Sequence, residues 1–391
     1  MLAERIEEIG ADLLRALVAE RRSETGSLEF KAELPGNSDQ DIKEFLKDVA
    51  AMANGQGGDI VYGIGELEGV AEKVQPIKGV IADEVIRRLA QRLDDCIEPR
   101  LQGRRLHSVV VDDGFLLVLR VPQSQIGPHR TSFKNQHRFP VRNEVNIVDM
   151  SYEQLRAAFD RTATLSERAR QFRMDRIQAV MADEGRRLEG NGSVVVHVVP
   201  LQGMSGTQSI DVLAAYNNYG ELALDWGSIS RAFNLDGVLV YQAGDLLRMN
   251  YTQLYRSGVI EFYSSGFNDQ DHRGKQIIAS SSLASFCRDA IIRAQAVLRS
   301  HGLTGGAYVG VAIIGVNGRA LYMGSRFALY NKSVADRDNL ILPEFWVEDL
   351  GQADIDEIAQ PVLDMVWQSF GLHACAYYDN DGKFEGDRQF E

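Results

Sequence analysis

Apolar positions recur along the first third of the chain with two periods, one near 3.6 and one of 2. Residues 1–20 carry Ile6, Ile9, Leu13, Leu14 and Leu17 at helical spacing and predict an amphipathic helix. Residues 27–33, SLEFKAE, predict a short strand, and the polar run PGNSDQ a turn. Asp39 or Asp41 then caps a helix in which Ile42, Phe45, Leu46, Val49 and Met52 share a face, and Asn54-Gly55 stops it. GQGGDIVYGIGE predicts a glycine-bounded strand, with Ile60, Tyr62 and Ile64 on one face and Val61 on the other. A second amphipathic helix is predicted over 81–96. Strands follow over 104–111 and 114–121, joined by Asp113-Gly114, a hairpin signal. The stretch from Gln123 to Phe139 predicts a loop, FPVR a strand, and SYEQLRAAFDR a helix capped by Ser151.

Beyond this α/β unit, residues 22–162, the pattern changes twice. Residues 163–190 predict a long Arg-rich linker helix that ends at Glu189-Gly190-Asn191-Gly192. Residues 191–391 predict a second α+β domain, a sensor or dimerisation module. Its strands are expected at 193–201, 237–243, 258–264, 307–316 and 319–324, and its helix at 282–302. The tail beyond 376 is polar and reads as frayed. The expected fold class is therefore α/β (α+β) in two domains, preceded by the helix of residues 1–21.

Composition narrows the class. The 391 residues are 45% hydrophobic and 25% charged, the balance of a globular protein rather than a disordered chain. No run approaches the roughly 18 apolar residues of a membrane span, and acids interrupt the N-terminal helix, so it is no secretory signal. The expectation is a cytoplasmic protein with no membrane partner. Cys96, Cys287 and Cys375 form no C-x-x-C pair, which argues against a zinc ribbon or disulfide framework. Net charge is −13, yet Arg100–Arg142 holds eight Lys and Arg against two acids. A basic window in an acidic protein is the footprint of a polyanionic partner.

Four constellations could carry chemistry. In Glu29-Phe30-Lys31 strand alternation puts Glu29 and Lys31 on one face and Phe30 on the other. Glu24, five residues before Glu29, can fold back beside it. Paired carboxylates suit a hard cation such as Mg²⁺ or Mn²⁺, and an adjacent lysine can neutralise a phosphate. The bland alternative is a surface salt-bridge ladder. Second, Asn54, Gly57 and Gly58 lie in a turn whose backbone N–H groups could hold phosphate. It is not a P-loop, since no G-K-[ST] follows, and a plain glycine-rich C-cap reads equally well. Third, Glu66 follows a strand end and could be a third metal ligand or a solvated turn acid. Fourth, Arg130, Lys134, Arg138 and Arg142 recur every four residues with no acid among them and with Phe133 and Phe139 interleaved. Such a segment suits phosphates and unpaired bases. The seven histidines are scattered, and neither H-E-x-x-H nor G-x-S-x-G occurs, which disfavours a zinc or serine hydrolase.

The order of these motifs resembles the AlbA_2 domain, the core domain of Schlafen proteins and of many bacterial DNA- or ATP-binding regulators. The resemblance rests on E-x4-E-F-K at Glu24–Lys31, A-N-x-x-G-G at Ala53–Gly58, GIGE at Gly63–Glu66, VPQS…GPH at Val121–His129, and FPVR followed by SYEQL. It covers residues 22–160. It implies a mixed-sheet domain and, as one activity, a metal-dependent centre of two Glu and one Asp that cuts tRNA or rRNA. Glu24 and Glu29 match the two Glu, Lys31 matches the family lysine, and Glu66 stands where the family has Asp. Schlafen cores embrace RNA with two related lobes. No second copy of the motifs occurs in residues 190–391, so by analogy the clamp would be a homodimer.

The leading expectation is an endoribonuclease dependent on Mg²⁺ or Mn²⁺, with tRNA-like RNA as substrate and phage defence as a setting. Glu24, Glu29 and Glu66 would hold metal, Lys31 would act on the attacked phosphate, and Arg130, Lys134, Arg138 and Arg142 would hold the backbone. The alternative is a non-catalytic DNA- or RNA-binding regulator. A third is a nucleotide-binding protein with ATP at the Gly57-Gly58 turn.

Overall fold

The computed structural model describes residues 2–3, 6–143, 146–182, 192–206, 210–224, 226–243, 250–270, 274, 276–323 and 334–386. The Glu189–Asn191 end expected for the linker helix and residues 387–391 of the polar tail lie outside them. The chain is an α+β protein in two compact units, Met1–Thr164 and Leu165–Glu391.

The first unit contains α1 (Ala11–Ala19), β1 (Leu28–Lys31), α2 (Asp39–Asn54), β2 (Gly58–Tyr62), β3 (Ile64–Leu67), β4 (Val70–Val74), α3 (Ala82–Cys96) and β5 (Ile97–Glu98). It continues through β6 (Arg105–Val111), β7 (Gly114–Val121), β8 (Arg130–Phe133), β9 (Gln136–Arg138), β10 (Pro140–Asn143) and β11 (Asn146–Asp149) into α4 (Tyr152–Met181). Its central sheet has the order β1-β2-β7-β6. β1 runs parallel to β2, and the other pairs are antiparallel. Strand alternation covers both faces. Ile60, Tyr62, Leu117, Leu119 and Val121 pack under α2 and α3. Phe30, Val61, Leu116 and Val118 pack under α1 on the opposite face. Two buried faces explain why β7 is apolar at nearly every position.

Local chemistry revises several expectations. The N-terminal segment is not one helix: a 3-10 turn at Ile6–Glu8 precedes α1, and Gly10 caps the latter. Ser38, not Asp39 or Asp41, caps α2. Its hydroxyl accepts from Asp41 N–H, and Asp41 answers at Ser38 N–H, a capping box. Ile64 packs with Val61 rather than with Ile60 and Tyr62. Gly63, at φ 93°, turns the chain there, and a Cβ on it would meet Leu116 Cδ2 at 2.3 Å. The expected loop before FPVR is partly a hairpin, β8–β9, turned through Lys134 and Asn135 at φ 47° and 61°. Ser151 caps α4 as expected, its hydroxyl accepting from Gln154 N–H.

In the second unit come β12 (Ser193–Pro200), α5 (Val212–Asn217), β13 (Ile229–Phe233), β14 (Gly237–Gln242), β15 (Asn250–Tyr255), β16 (Ile260–Ser264), β17 (Asn268–Gln270) and β18 (Gln276–Ala279). Then follow α6 (Ser280–Ser300), β19 (Ala307–Ile314), β20 (Ala320–Tyr322), β21 (Asn339–Ile341), β22 (Phe345–Val347) and α7 (Ile355–Ser369). The main sheet has the order β13-β14-β15-β16-β12-β19-β21, with β22 also on β19. Its pairs are antiparallel. Val194, Val196 and Val198 face a core with α6 and α7. Val195 packs with Ile177 and Val180 of α4 on the other face.

The helix expected to be a linker is thus structural from Leu165 onward. Arg173 lies buried, donating to Glu344 at 2.9 Å and to the Val311 carbonyl at 2.9 Å. Arg176 grips the fully buried Glu261 through two bonds of 3.0 and 3.2 Å. Tyr251 and His197 also donate to Glu261. Its carboxyl is held well below the ordinary range: these donors and charges outweigh the upward push of burial.

Candidate functional site

The acidic motif forms where β1 meets α2. Glu29 and Lys31 leave β1 on the α2 side while Phe30 enters the opposite core, as alternation requires. Lys31 Nζ sits 2.6 Å from Glu29 Oε1 and 3.2 Å from Asp48 Oδ2. The other oxygen of Glu29 accepts a short bond from Arg142 Nη2. Glu29 is 6% exposed and Asp48 7%. Burial and the Glu29 charge push the Asp48 carboxyl up to about 6 despite Lys31. Lys31 in turn is raised, because the attraction of Asp48 and Glu29 exceeds the cost of its burial. Tyr62, beneath the cluster, is raised by burial first and by the same two acids after it.

Glu24 does fold back. Its Oε1 accepts from Phe30 N–H at 2.8 Å, and its own N–H donates to the Gly69 carbonyl at 2.7 Å. That ties it to the β3–β4 turn, where Glu66 Oε2 accepts from Gly69 N–H at 2.6 Å. Burial raises the Glu24 carboxyl, and the charges of Glu29 and Glu66 add to the rise against the Phe30 hydrogen bond. The fold therefore gathers Glu24, Glu29, Lys31 and Glu66 into one electrostatic neighbourhood.

Sequence reasoning missed Asp48. A signal was present: Asp48 lies three residues after Phe45 and four before Met52, on the apolar stripe of α2. An acid there must be paired when buried.

Hard carboxylate oxygens suit Mg²⁺ or Mn²⁺ by chemistry. As arranged, they make no cage. Among the described residues no three Asp, Glu, His or Cys side chains converge as metal ligands. Glu29 is engaged by two cations, and Glu66 turns back on its own loop.

The basic segment is placed differently from its expectation. Arg142 is no surface contact, since its side chain is 6% exposed inside the cluster. The other three cations stay on the surface and find acids from distant segments. Arg130 pairs with Glu98 at 2.6 Å, Lys134 with Asp39, and Arg138 with Asp149 through two atoms. The stretch lacks acids of its own; the fold supplies them. Such exposed pairs contribute about 0–1 kcal/mol each. Phe133 packs toward the core rather than standing free to stack on a base.

The Asn54–Gly58 turn makes structural contacts. Asn54 Nδ2 donates to the His129 and Pro140 carbonyls at 2.9 and 2.8 Å, and Oδ1 accepts from His129 N–H at 2.7 Å. This clamp fixes the start of β10 two residues before Arg142, and so aims Arg142 at Glu29. A Cβ on Gly57 would lie 2.4 Å from Gln123 N, and one on Gly58 2.3 Å from the Ser27 carbonyl oxygen. Both glycines serve close backbone packing. Gly55 and Gly57 N–H groups already donate to α2 carbonyls. Nearby, His129 is fully buried, with Nδ1 2.7 Å from the Pro99 carbonyl and Nε2 2.6 Å from Ser124 Oγ. A carbonyl only accepts, so Nδ1 carries the proton and Nε2 accepts from the serine hydroxyl. Burial lowers this imidazole to about 4.

Residues 24–151 match the family model described as Schlafen, AlbA_2. This segment is a Schlafen AlbA_2 domain. The AlbA_2 domain begins at Glu24 itself and closes at Ser151, the cap of α4. The solved structures that match part of the chain include two from bacteria. The DIP2311 protein from Corynebacterium diphtheriae is 17% identical, over 37% of this chain and 28% of that one, with a TM-score of 0.26. The N-terminal domain of a RecG-related protein from Nitrosomonas europaea is 22% identical, over 36% of this chain and 90% of that one, also with a TM-score of 0.26. None of the curated proteins matches the chain. No described helix is long and apolar enough to cross a membrane.

Proposed function

We propose that the AlbA_2 domain acts on nucleic acid and that its specific activity is divalent-metal-dependent cleavage of structured, tRNA-like RNA. One observation carries this reading. Glu24, Glu29, Asp48 and Glu66 gather around three cations, Lys31, Lys47 and Arg142, and two of the four carboxyls are pushed up. Crowded, partly desolvated carboxylates with shifted titration are the kind of group from which functional sites are built. Glu24, Glu29 and Glu66 would hold Mg²⁺ or Mn²⁺, which would supply the activated water and neutralise charge on the phosphate. Lys31, kept cationic by Asp48, would stand at the attacked phosphate. Arg130, Lys134 and Arg138 would exchange their surface acids for the RNA backbone. A homodimer would supply the second lobe of a clamp.

A second reading, binding of RNA or DNA without cleavage, is favoured by the full pairing of Glu29 with Lys31 and Arg142. Incubation of the chain with total tRNA in Mn²⁺ or EDTA, beside Glu29→Gln, separates the two. Discrete fragments that need both metal and Glu29 support the nuclease. Intact tRNA with a gel shift that survives EDTA leaves a binding module. With about three exposed cations in contact, the logarithm of affinity should fall with the logarithm of salt at a slope of roughly −2 to −3.

A further inference from the structure

The edge of the main sheet in the second unit carries a column of stacked side chains. Among the described residues β13 pairs with β14 alone and ends the sheet on that side. Strand alternation puts Ile229, Arg231 and Phe233 on one face. Ile229 packs against the main core. Phe233 lies ring to ring on Tyr216 of α5, with centroids 4.0 Å apart and planes 12° from parallel. The Arg231 guanidinium carbon lies 4.5 Å from the centroid of Tyr216 and 4.0 Å from that of Tyr219. Phe233 covers one face of Tyr216, which leaves the other for Arg231. The four side chains thus stack in the order Phe233, Tyr216, Arg231, Tyr219.

Two features of this column point to a ligand. Phe233, at its end, is 50% exposed, as large apolar side chains seldom are in clusters. Leu213, one turn before Tyr216 on α5, and Leu235, two residues past Phe233, are exposed too. Arg231, for its part, makes no hydrogen bond or ion pair with any described residue. Aromatic rings hold its guanidinium in place and leave the N–H edge unused. Asp211 and Glu221, the acids nearest in sequence to the two tyrosines, serve elsewhere. Asp211 caps α5 through the Leu213 and Ala214 N–H groups, and the charges of both acids bear on His301. An apolar peptide would leave the cation unused, and an acidic one would leave the ring face unused. A nucleotide unit, a flat base beside a phosphate, uses both.

We propose that this column is a stacking site for an unpaired base of single-stranded nucleic acid. The base lies on the open face of Phe233 and adds one layer to the stack. A phosphate of the same strand takes the N–H edge of Arg231, whose planar fork suits it. Every base has a flat π face, so the site discriminates little among sequences. The second unit thereby has a contact of its own with nucleic acid, whether or not the acidic cluster of the first unit cuts it.

The test uses a short, fluorescently labelled single-stranded DNA carrying 5-iodouracil, a probe that no ribonuclease cuts. Its anisotropy is followed as the full chain is added, and the complex is then irradiated to cross-link the base to the ring beneath it. Mass spectrometry should find the cross-link on Phe233. Phe233→Leu keeps apolar bulk without a flat face, and should weaken binding at least about five-fold. Phe233→Trp should bind at least as tightly as the wild type. Arg231→Gln should make the slope of log affinity against log salt shallower by about 0.7, one phosphate contact. Cross-links confined to the first unit, or equal affinity of Phe233→Leu and the wild type, overturn the site and leave nucleic-acid binding to the AlbA_2 domain. No binding of the probe also overturns it. If Phe233→Leu then dissociates a dimer in sedimentation, the column is a protein interface instead. Should Phe233→Leu fail to fold, as urea unfolding would show, the wild-type cross-link and Phe233→Trp decide.

Discussion

His129 offers a stability change whose sign and size follow from its surroundings. Its folded value, about 4, lies below the ordinary 6.5 because the ring is buried. The unfolded chain therefore takes up the proton first. The stability that depends on a neutral ring is whole above pH 6.5 and is lost as pH falls toward 4. At about 1.36 kcal/mol per pK unit, the first unit loses about 2.5 kcal/mol by pH 4.5 and about 3 kcal/mol below pH 4. Asp48 acts in the opposite sense. Its folded value is raised, so its protonation favours the folded state as pH falls through about 6. The wild-type profile thus mixes two opposing slopes, and a variant is needed to isolate His129. Gln at position 129 keeps an amide donor for the Pro99 carbonyl and does not titrate. The difference in stability between wild type and His129→Gln should shift by about 2.5 kcal/mol between pH 7 and 4.5, in favour of the variant at low pH. Tryptophan fluorescence cannot report it, since Trp226, Trp346 and Trp367 all lie in the second unit. The assay is hydrogen exchange by mass spectrometry on peptides from β2 and β7, whose slowest amides open with the unit as a whole. A difference that stays constant across this pH range would refute the assignment of a neutral, buried His129.

Three further outcomes are expected. Arg120→Met leaves Asp59, fully buried and held by two bonds of 2.7 and 3.1 Å, without its cation; exchange from β2 should show a loss of about 3–5 kcal/mol, largely recovered with Asp59→Asn. Gly58→Ala forces a Cβ against the Ser27 backbone at φ 155°, so the first unit should open by at least about 2 kcal/mol whether or not ATP is added, and stabilisation by ATP would instead revive the phosphate-turn reading. Glu261→Gln strips Arg176 of its buried counter-ion; urea unfolding followed by tryptophan should lose about 3–5 kcal/mol, and unchanged exchange in the first unit would show that the two units respond separately.

Much of the first unit was legible because short-range geometry encodes it. α2 and α3 follow from apolar spacing, the β6–β7 hairpin from its Asp-Gly turn, and the split of Glu29 and Lys31 from Phe30 from strand alternation. In the second unit the core strands β12, β14, β16 and β19 read as dense apolar runs. β13, β15 and α7 did not, since polar residues or an internal Pro361 interrupt their patterns.

The chain's sequence by itself determined the main helices and strands of the first unit and the pairing of Glu29 with Lys31 on one face. These depend on residues within a turn or a strand of one another, where backbone periodicity alone decides what faces what. Only the tertiary structure decided which charges meet. Arg142 reaches Glu29 and Lys134 reaches Asp39 across roughly a hundred residues, Asp48 enters the cluster from a helix, and Arg173 and Arg176 sink into the second unit. A buried charge takes whichever partner the packing of separate elements brings within about 4 Å, and no local pattern along the chain records that choice.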